Sequence, residues 1–293
     1  MQSIYKIPGY ILCLLGGFFL SWGGLIIRNF ETTDIWQILF CRAFFMTLTI
    51  GLFLILIYKG KTISIFKQSG YPALIGGVMF SMSFVTYVTS ITLSTVANVL
   101  FIISTQTVWL AVLGYIFLKE RISFKTFISI LLAIVGILFM VKGSLDVESI
   151  FGNLLALTIP INFAIIVLLI RKYPNLDMIP MLFYAGVLNC IYGLIMTDTI
   201  FVSTNDVLMG FLIGTFQHAF GFICVTIGAR STPSVVVGLL MLTETIFGPL
   251  WVWLFINEVP PLNVIIGGCI ILSAVILKSL EERYNKQSFK LKN

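Results

Sequence analysis

Long apolar runs separated by short polar segments make up most of this chain of 293 residues. Each run holds about 20 residues, the length that an α-helix needs to cross roughly 30 Å of hydrocarbon. The runs are continuous, whereas a membrane β-barrel shows short alternating segments. The pattern therefore predicts an all-α integral membrane protein with ten transmembrane helices, at residues 9–28, 35–58, 71–91, 95–118, 123–141, 151–170, 178–196, 206–228, 233–256 and 261–280.

The composition narrows the class of protein further. Hydrophobic residues make up 59% of the chain and charged residues 10%, whereas a soluble domain carries about 25% charged residues. This scarcity of charge excludes a soluble enzyme and a disordered chain. The five cysteines all lie inside apolar runs and show no metal-ligand spacing, so the sequence indicates no metal and no cofactor.

The basic residues are distributed unevenly over the predicted loops. Assigning the loops to alternate sides places only Arg28 and Lys142 on one side, with Arg42 inside a span. The other side holds the N-terminus and fifteen bases: Lys6, Lys59, Lys61, Lys67, Lys119, Arg121, Lys125, Arg171, Lys172, Arg230, Lys278, Arg283, Lys286, Lys290 and Lys292. By the positive-inside rule, we predict a multi-pass protein of the cell (inner, cytoplasmic) membrane with both termini cytoplasmic. Bases placed this way orient helices and do not indicate nucleic-acid binding.

An internal repeat links the fourth and ninth predicted spans. When residues 95–123 are shifted by 138 positions onto residues 233–261, Gln106 falls on Glu244 and Glu120 falls on Glu258. Each segment thus carries a polar residue in mid-span and an acidic residue where the span ends. Polar positions are scarce in this chain, so two coincidences favour a true repeat over chance similarity.

The repeat predicts two halves of five helices each, residues 1–142 and 143–293, the second including a basic cytoplasmic tail. Because five is odd, the second half enters the membrane from the opposite side, and the halves form an inverted pair. Such pairs are typical of secondary transporters, which hold a substrate site near the bilayer midplane. The repeat therefore predicts a transporter.

These segments resemble the EamA-type repeat of the ten-span drug/metabolite transporter superfamily. Cys41-Arg42-Ala43 and Gly228-Ala229-Arg230 are similar to that family's second helix and eighth-helix ending. The resemblance implies a secondary permease for small metabolites or amino acids, often exporting, with a cavity lined by spans 1, 3, 4, 6, 8 and 9. Family members often have a proline after the mid-span residue. Here threonine occupies that position in both repeats, and Pro249 is the candidate for a displaced break in span nine.

Three ionisable side chains fall inside predicted spans, where such groups are costly and usually functional. Glu244 is predicted to bind a cationic substrate or to exchange a proton, unless it is a neutral or paired acid that joins helices. His218 lies at a similar depth and is either its proton-coupling partner or a packing residue. Arg42 either anchors the structure, for example by pairing with Asp34, or binds a substrate carboxylate.

Other polar and aromatic residues complete the predicted substrate site. Asn98, Gln106 and Trp109 share one stripe of span four. Gln106 is the uncharged counterpart of Glu244, which suits a substrate with one charged and one neutral polar end. The remaining candidates, for which helix packing is an equal alternative, are Tyr87, Trp22, Asn162 and Trp251.

Three functions are compatible with these features. We favour a secondary transporter of small organic metabolites by alternating access, with export implied by the resemblance. The alternatives are a proton-coupled importer that uses Glu244 and His218, and an intramembrane enzyme. The chain has no GxxxxGK[ST] loop for ATP and no HExxH motif. Its expected partners are a small-molecule substrate and the lipid bilayer; the oligomeric state is open, with a homodimer among the alternatives.

Overall fold

The computed structural model describes residues 7–93, 99, 102–120, 122–141, 150–199, 202–257 and 262–290. Within these ranges the regular structure is helical, without a β-strand, which confirms the all-α prediction for this part of the chain. The helices are α1 (Gly9–Leu20), α2 (Gly23–Ile27), α3 (Ile35–Tyr58), α4 (Thr62–Leu93), α5 (Gln106–Leu118), α6 (Phe124–Val141), α7 (Ile150–Lys172), α8 (Pro180–Met196), α9 (Thr204–Phe211), the π-helix α10 (Leu212–Phe220), α11 (Gly221–Ala229), α12 (Ser234–Met241), α13 (Thr243–Ile256) and α14 (Leu262–Lys290).

Among the described residues, five helical stretches are long and apolar enough to cross a membrane, and four shorter ones are also apolar. The long stretches are Gly9–Ile27, Ile35–Ser90, Leu154–Lys172, Thr204–Ala229 and Ser234–Ile256. Ile35–Ser90 contains two predicted spans, and its chain changes direction at Lys59, whose φ is 51°. The count of ten spans stays a prediction. The start of span four, with Asn98, and the bases Lys6, Arg121, Lys142 and Lys292 lie outside the described residues.

Several predicted basic loops meet at one end of the bundle. The Tyr58 hydroxyl donates to the Asp177 carboxylate, and the Arg230 Nε donates to the Pro174 carbonyl at 3.0 Å. At the same end of the bundle, the Arg171 side chain forms an ion pair with the Glu120 carboxylate. We call this the basic end. It collects the loops that the charge count assigns to one side, although the orientation in a membrane stays a prediction.

The other end of the bundle, which we call the acidic end, is organised by a buried carboxylate. Asp206 is 2% exposed and accepts hydrogen bonds from the backbone N–H groups of Glu31 at 2.7 Å and Thr32 at 3.2 Å. Asp34 accepts from the Thr197 hydroxyl at 2.6 Å and from the Trp36 N–H at 2.9 Å. These bonds attach the segment between α2 and α3 to α9, through Asp206, and to the end of α8, through Thr197.

Within the described ranges, three of the predicted spans are interrupted in mid-course. The breaks lie at Ser21 between α1 and α2, at Thr105 before α5, and at Leu242 between α12 and α13. At each break a hydroxyl bonds to the carbonyl three residues earlier, at 2.6 Å for Ser21, Thr105 and Thr243. Such side-chain bonds compete with the helical ladder and bend helices. The expectation that Pro249 breaks span nine is wrong, because α13 continues through it.

The repeat is visible in the backbone of α5 and α13. Leu118 and Ile256 end these helices, and the next residues, Lys119 and Asn257, both adopt the left-handed conformation, with φ of 53° and 59°. Both pairs are 138 positions apart, the shift found in the sequence. Glu258, the predicted counterpart of Glu120, lies outside the described residues.

Gly238 permits a close crossing between α12 and α5. A Cβ atom on Gly238 of α12 would lie 2.9 Å from the Cα of Thr107 and 2.8 Å from Leu110 Cδ1, both on α5.

We predict that Gly238→Ala lowers the free energy of unfolding by about 1–3 kcal/mol, because overpacking forces the helices apart. Thermal unfolding in detergent measures this. Gly268→Ala is the control, since nothing lies within 4 Å of its Cβ position, and equal losses in both variants would contradict the prediction.

Candidate functional site

A buried guanidinium marks one wall of the candidate site. Arg42 of α3 is 4% exposed, its Nη2 donates to the Phe84 carbonyl of α4 at 3.3 Å, and its Cζ lies 5.4 Å from the centre of the Phe84 ring. Gly214 of α10 lets the π-helix approach this position, because a Cβ there would lie 2.5 Å from the Arg42 carbonyl oxygen. The predicted pairing of Arg42 with Asp34 is absent, since Asp34 caps α3 and binds Thr197.

The π-helix places His218 on the same wall. Its ring meets Phe84 edge-on at 4.9 Å between centroids, and its Nδ1 hydrogen-bonds with the Ile213 carbonyl at 3.1 Å. Single π-helical segments inside longer helices occur frequently at functional sites. His218 and Arg42 thus contact the same residue, Phe84. The described residues show no hydrogen bond between His218 and Glu244, and the proton-coupling role of His218 stays a prediction.

Tyr87 lies one turn beyond Phe84 on α4, and Phe84 is the residue that contacts the Arg42 guanidinium. The Tyr87 side chain is within electrostatic range of both the Arg42 guanidinium and the Glu244 carboxyl. Ionisable groups from α3 and α13 therefore lie in the same region of the bundle as this tyrosine. The apolar pattern of the chain does not reveal this proximity, because the three residues belong to different predicted spans.

Glu244 lies in the first turn of α13, directly after the break at Leu242. Gly17 of α1 passes close by, since its Cβ position lies 3.1 Å from Thr243 Cβ and 3.6 Å from the Glu244 nitrogen. The Glu244 side chain is only partly buried, and its oxygens accept no hydrogen bond from the residues that the structure describes. The described residues thus show no bond through which the Glu244 carboxyl joins two helices, and its role in binding a substrate or a proton stays a prediction.

An aromatic cluster extends from Glu244 towards the acidic end. Trp22 and Trp251 stack at 4.5 Å between ring centroids, and Phe247 stacks on Trp251 at 5.6 Å. The Trp251 Nε1 donates to the Ser21 hydroxyl at 2.8 Å, which joins α13 to the break in span one. Two predicted site residues, Trp22 and Trp251, are thus in direct contact and form a flat apolar wall next to the carboxyl group.

The remaining candidates lie deeper. Gln106 begins α5 and is 7% exposed, while Trp109, one turn later, is half-buried against the apolar core. Asn162 is also 7% exposed, and its Nδ2 has no partner among the described residues. Thr158 donates to the Thr86 hydroxyl at 3.3 Å. α7 runs antiparallel to α4. Asn162, one turn after Thr158, therefore lies near the level of Phe84 along the bundle.

Some contributors were missed by sequence reasoning. Phe84 supplies both a carbonyl and a ring to Arg42, and Ser21 fixes Trp251, yet neither residue was singled out. The polar Gln217 was not among the predicted site residues, and its Nε2 donates to the Leu20 carbonyl at 3.0 Å, just before the break in span one. Polar residues inside an apolar span, such as Ser21 and Gln217, could have been recognised as candidates from the sequence. The contribution of a phenylalanine carbonyl could not, because every residue has a backbone carbonyl.

Comparison with known proteins agrees with this architecture. The model of the EamA-like transporter family matches residues 7–142 and again residues 150–280. An uncharacterized transporter from Clostridium kluyveri is 27% identical over 304 aligned positions, covering 94% of this chain and 95% of that protein. A protein of known crystal structure superposes with a TM-score of 0.80 at 12% identity, covering 94% of this chain and 98% of that one, which shows a shared fold.

The helical bundle and these matches define a multi-pass membrane transporter. The chain belongs to the EamA-like transporter family, whose model matches it in two successive segments. The resemblance stated from the sequence is therefore confirmed, and the general role is transport.

The hydrogen bond between Trp251 and Ser21 can be tested by its contribution to the stability of the protein. We predict that Ser21→Ala lowers the free energy of unfolding by about 1–3 kcal/mol, because the partly buried indole N–H loses its acceptor. Ser273→Ala in α14 is the control, since this exposed hydroxyl bonds only to the Ile270 carbonyl. Thermal unfolding of the two variants measures the difference, and an unchanged midpoint for Ser21→Ala would contradict the assigned bond.

Proposed function

We propose that this chain is a secondary permease that moves small organic metabolites, such as amino acids, by alternating access around a central cavity. In this proposal ten spans form two inverted halves, residues 1–142 and 143–293, in the cytoplasmic membrane with both termini inside. Export is the direction that the family resemblance favours. The substrate-binding residues are Glu244, Gln106, Trp109, Tyr87, His218, Trp22, Asn162 and Trp251.

The observation that carries the proposal is the partly buried Glu244 in mid-span, whose carboxyl group has no hydrogen-bond partner among the described residues. An ionisable residue at the centre of a membrane helix costs about 2.5–3.5 kcal/mol on insertion scales, so it needs a compensating role. Glu244 accepts no hydrogen bond from the described residues and lies one turn before Phe247, which stacks on Trp251. A substrate that carries a positive charge would supply the missing interaction.

Packing on the two sides of the break in span nine supports alternating access. Every residue of α12 is buried, and α12 packs against α1, α5, α6, α7, α11 and α14. In contrast α13 packs against α1, α2, α12 and α14, without extensive contact with the described residues of α4 or α7. We infer that the site is sealed towards the basic end and is reached from the acidic end.

A single carboxylate holds the seal at the basic end. Glu120, which follows α5, pairs with the Arg171 Nε at the end of α7 and accepts the Ser234 N–H at the start of α12 at 2.8 Å. Arg171 also donates to the Thr232 carbonyl. Three spans therefore meet at one ion pair, and access to the site from the basic end requires that this pair separate.

The alternative of proton-coupled import depends on Glu244 and His218 exchanging a proton. His218 lies beside Arg42 and engages the Ile213 carbonyl, so Glu244 is the residue on which proton coupling would depend. Measuring flux with and without an imposed pH gradient separates this alternative from gradient-independent export.

Transport itself is tested in liposomes that contain the purified protein and are loaded with a bacterial metabolite extract. We expect mass spectrometry to show that at least one compound leaves the lumen chemically unchanged, faster than from protein-free liposomes. Chemical conversion of a compound without its release would instead indicate the intramembrane enzyme.

The same assay tests Glu244. Glu244→Gln keeps the shape of the side chain but removes its charge, so we expect flux to fall by about 10- to 100-fold, as for loss of a charge-assisted hydrogen bond. The control is Glu31→Gln, an exposed acid at the acidic end. Unchanged flux and unchanged pH dependence in Glu244→Gln would make Glu244 a structural residue.

The seal predicts a change in accessibility at Ser234, which is fully buried. The thiol introduced by Ser234→Cys should react slowly with a soluble maleimide. Adding Glu120→Gln and Arg171→Gln should accelerate labelling of that peptide at least about tenfold, because the charge-assisted contact is lost. Exchanging the charges with Glu120→Arg and Arg171→Glu should restore part of the protection. Equal labelling in all backgrounds would contradict the role of the ion pair.

A further inference from the structure

The two ends of the α3–α8 pair are built in the same way. Asp34, just before α3, accepts the backbone N–H two residues later at 2.9 Å and the hydroxyl of Thr197, which follows α8. Asp177, shortly before α8, accepts the N–H two residues later, also at 2.9 Å, and the hydroxyl of Tyr58, which ends α3. Each helix is thus preceded by an aspartate that holds its own start and binds the far end of the other helix.

The same relation holds in the middle of the pair. Asp34 and Asp177 are 143 positions apart in the sequence, and so are Thr47 and Cys190. The Thr47 Oγ1 and the Cys190 Sγ lie 3.9 Å apart. When two equivalent elements pack around a two-fold axis, the residues that contact their own counterparts are those next to the axis. The axis that relates α3 to α8 therefore passes between Thr47 and Cys190.

Glycines bring the two helices together on both sides of this axis. A Cβ atom on Gly193 of α8 would lie 2.9 Å from the Phe40 Cα, and one on Gly51 of α3 would lie 3.3 Å from the Phe183 ring. Phe40 and Phe183 are again 143 positions apart. This shift exceeds the 138 of α5 and α13 because five more residues separate spans two and four than separate spans seven and nine. The packing of the pair thus follows the two-fold axis along its length.

Alternating access gives this symmetry a consequence. In a transporter built from inverted repeats, the second state arises when the two halves exchange their conformations. The distance between a residue of one half and a residue of the other then becomes the distance between their two counterparts. A contact between counterparts, such as that of Thr47 with Cys190, is therefore the same in both states. The bonds of Asp34 and Asp177 to the opposite helix ends exchange places, so both are kept.

The seal at the basic end responds differently to the same exchange. Glu120 follows α5 and Ser234 begins α12, and these two residues are not counterparts of one another. When the halves exchange conformations, their distance becomes that of a different pair of residues. Symmetry therefore keeps the contact between α3 and α8 but does not keep the seal.

We propose that α3 and α8 form the fixed central pair of the transporter, and that the rest of each half moves around this pair when access alternates. The inference rests on the proposed permease function and adds which interhelical contacts stay closed and which one opens. Asp34 and Asp177 are positioning residues in this account, because they hold the two ends of the pair together.

The first test compares two disulfides in the full-length protein in liposomes. Thr47→Cys places a thiol beside the native Cys190, across the axis. Gly114→Cys with Ser234→Cys places two thiols across the seal, where the Cβ position of Gly114 lies 3.2 Å from the Ser234 Cβ. Disulfides join Cβ atoms that are about 3.5–4.5 Å apart, so a small shift suffices. Each disulfide is formed with copper phenanthroline, identified by peptide mass spectrometry and reversed with dithiothreitol.

The two disulfides should have opposite effects on transport. We expect the disulfide across the axis to keep metabolite release within about twofold of the reduced variant, and the disulfide across the seal to slow it at least about tenfold, because only the seal must open. Slower release with the axis disulfide, recovered on reduction, would overturn the proposal and leave the permease function standing. Release by none of the reduced proteins would remove the permease function, and the fixed pair would then be decided by the second test.

The second test needs neither a substrate nor a disulfide. Ketone-reactive nitroxides are attached to p-acetylphenylalanine, so that the native cysteines stay unlabelled, and interspin distances are measured by pulsed EPR. One label pair replaces Leu48 and Ile191, which are partly exposed counterparts in α3 and α8. The comparison pair replaces Lys119 and Ser231, which are exposed on the two sides of the seal.

Both distances are measured with and without Glu120→Gln and Arg171→Gln, which remove the ion pair of the seal. We expect the distance between positions 119 and 231 to lengthen in that background, while the distance between positions 48 and 191 stays the same. A change in both distances would overturn the proposal.

Discussion

The structure depends on accommodating ionisable side chains inside an apolar bundle. Arg42 is held by the carbonyl and ring of Phe84, and Glu244 lies directly after a helix break, where its carboxyl group accepts no hydrogen bond from the described residues. In hydrocarbon such groups are tolerated when they face one another, a water-filled cavity or a ligand. Helix breaks, a backbone carbonyl and aromatic rings around these two residues therefore set this part of the bundle apart from the apolar core.

Backbone irregularities are concentrated where this interior is formed. The breaks in spans one and nine meet at the contact between Ser21 and Trp251, and the π-helix brings His218 against the Arg42 wall. Beyond the break, α12 is sealed on all sides, and its start is held by Glu120. The two short helices α12 and α13 can move separately because a break joins them, whereas a continuous helix would move as one unit. In the proposed mechanism, the broken span connects the candidate site to the Glu120–Arg171 ion pair at the basic end.

Sequence patterns predicted the elements that depend on local chemistry. Apolar runs gave the helices, and the shift of 138 residues placed Lys119 and Asn257 at equivalent left-handed helix ends. Glu244, Trp22 and Trp251 could be chosen because polar and large aromatic residues are informative in such sequence. The break at Leu242 was missed because it arises from a threonine hydroxyl, not from proline. The contact between Arg42 and Phe84 was missed because it joins two spans through a backbone carbonyl, which no side-chain pattern reveals.

The most direct measurement of the central claim is an experimental structure of the protein in a lipid nanodisc, determined with a bacterial metabolite extract present. The account predicts density for one small ligand in contact with the Glu244 carboxyl group and the stacked rings of Trp22 and Trp251. A Glu244 carboxyl group that is hydrogen-bonded to another helix, or a ligand bound away from Glu244, would contradict it.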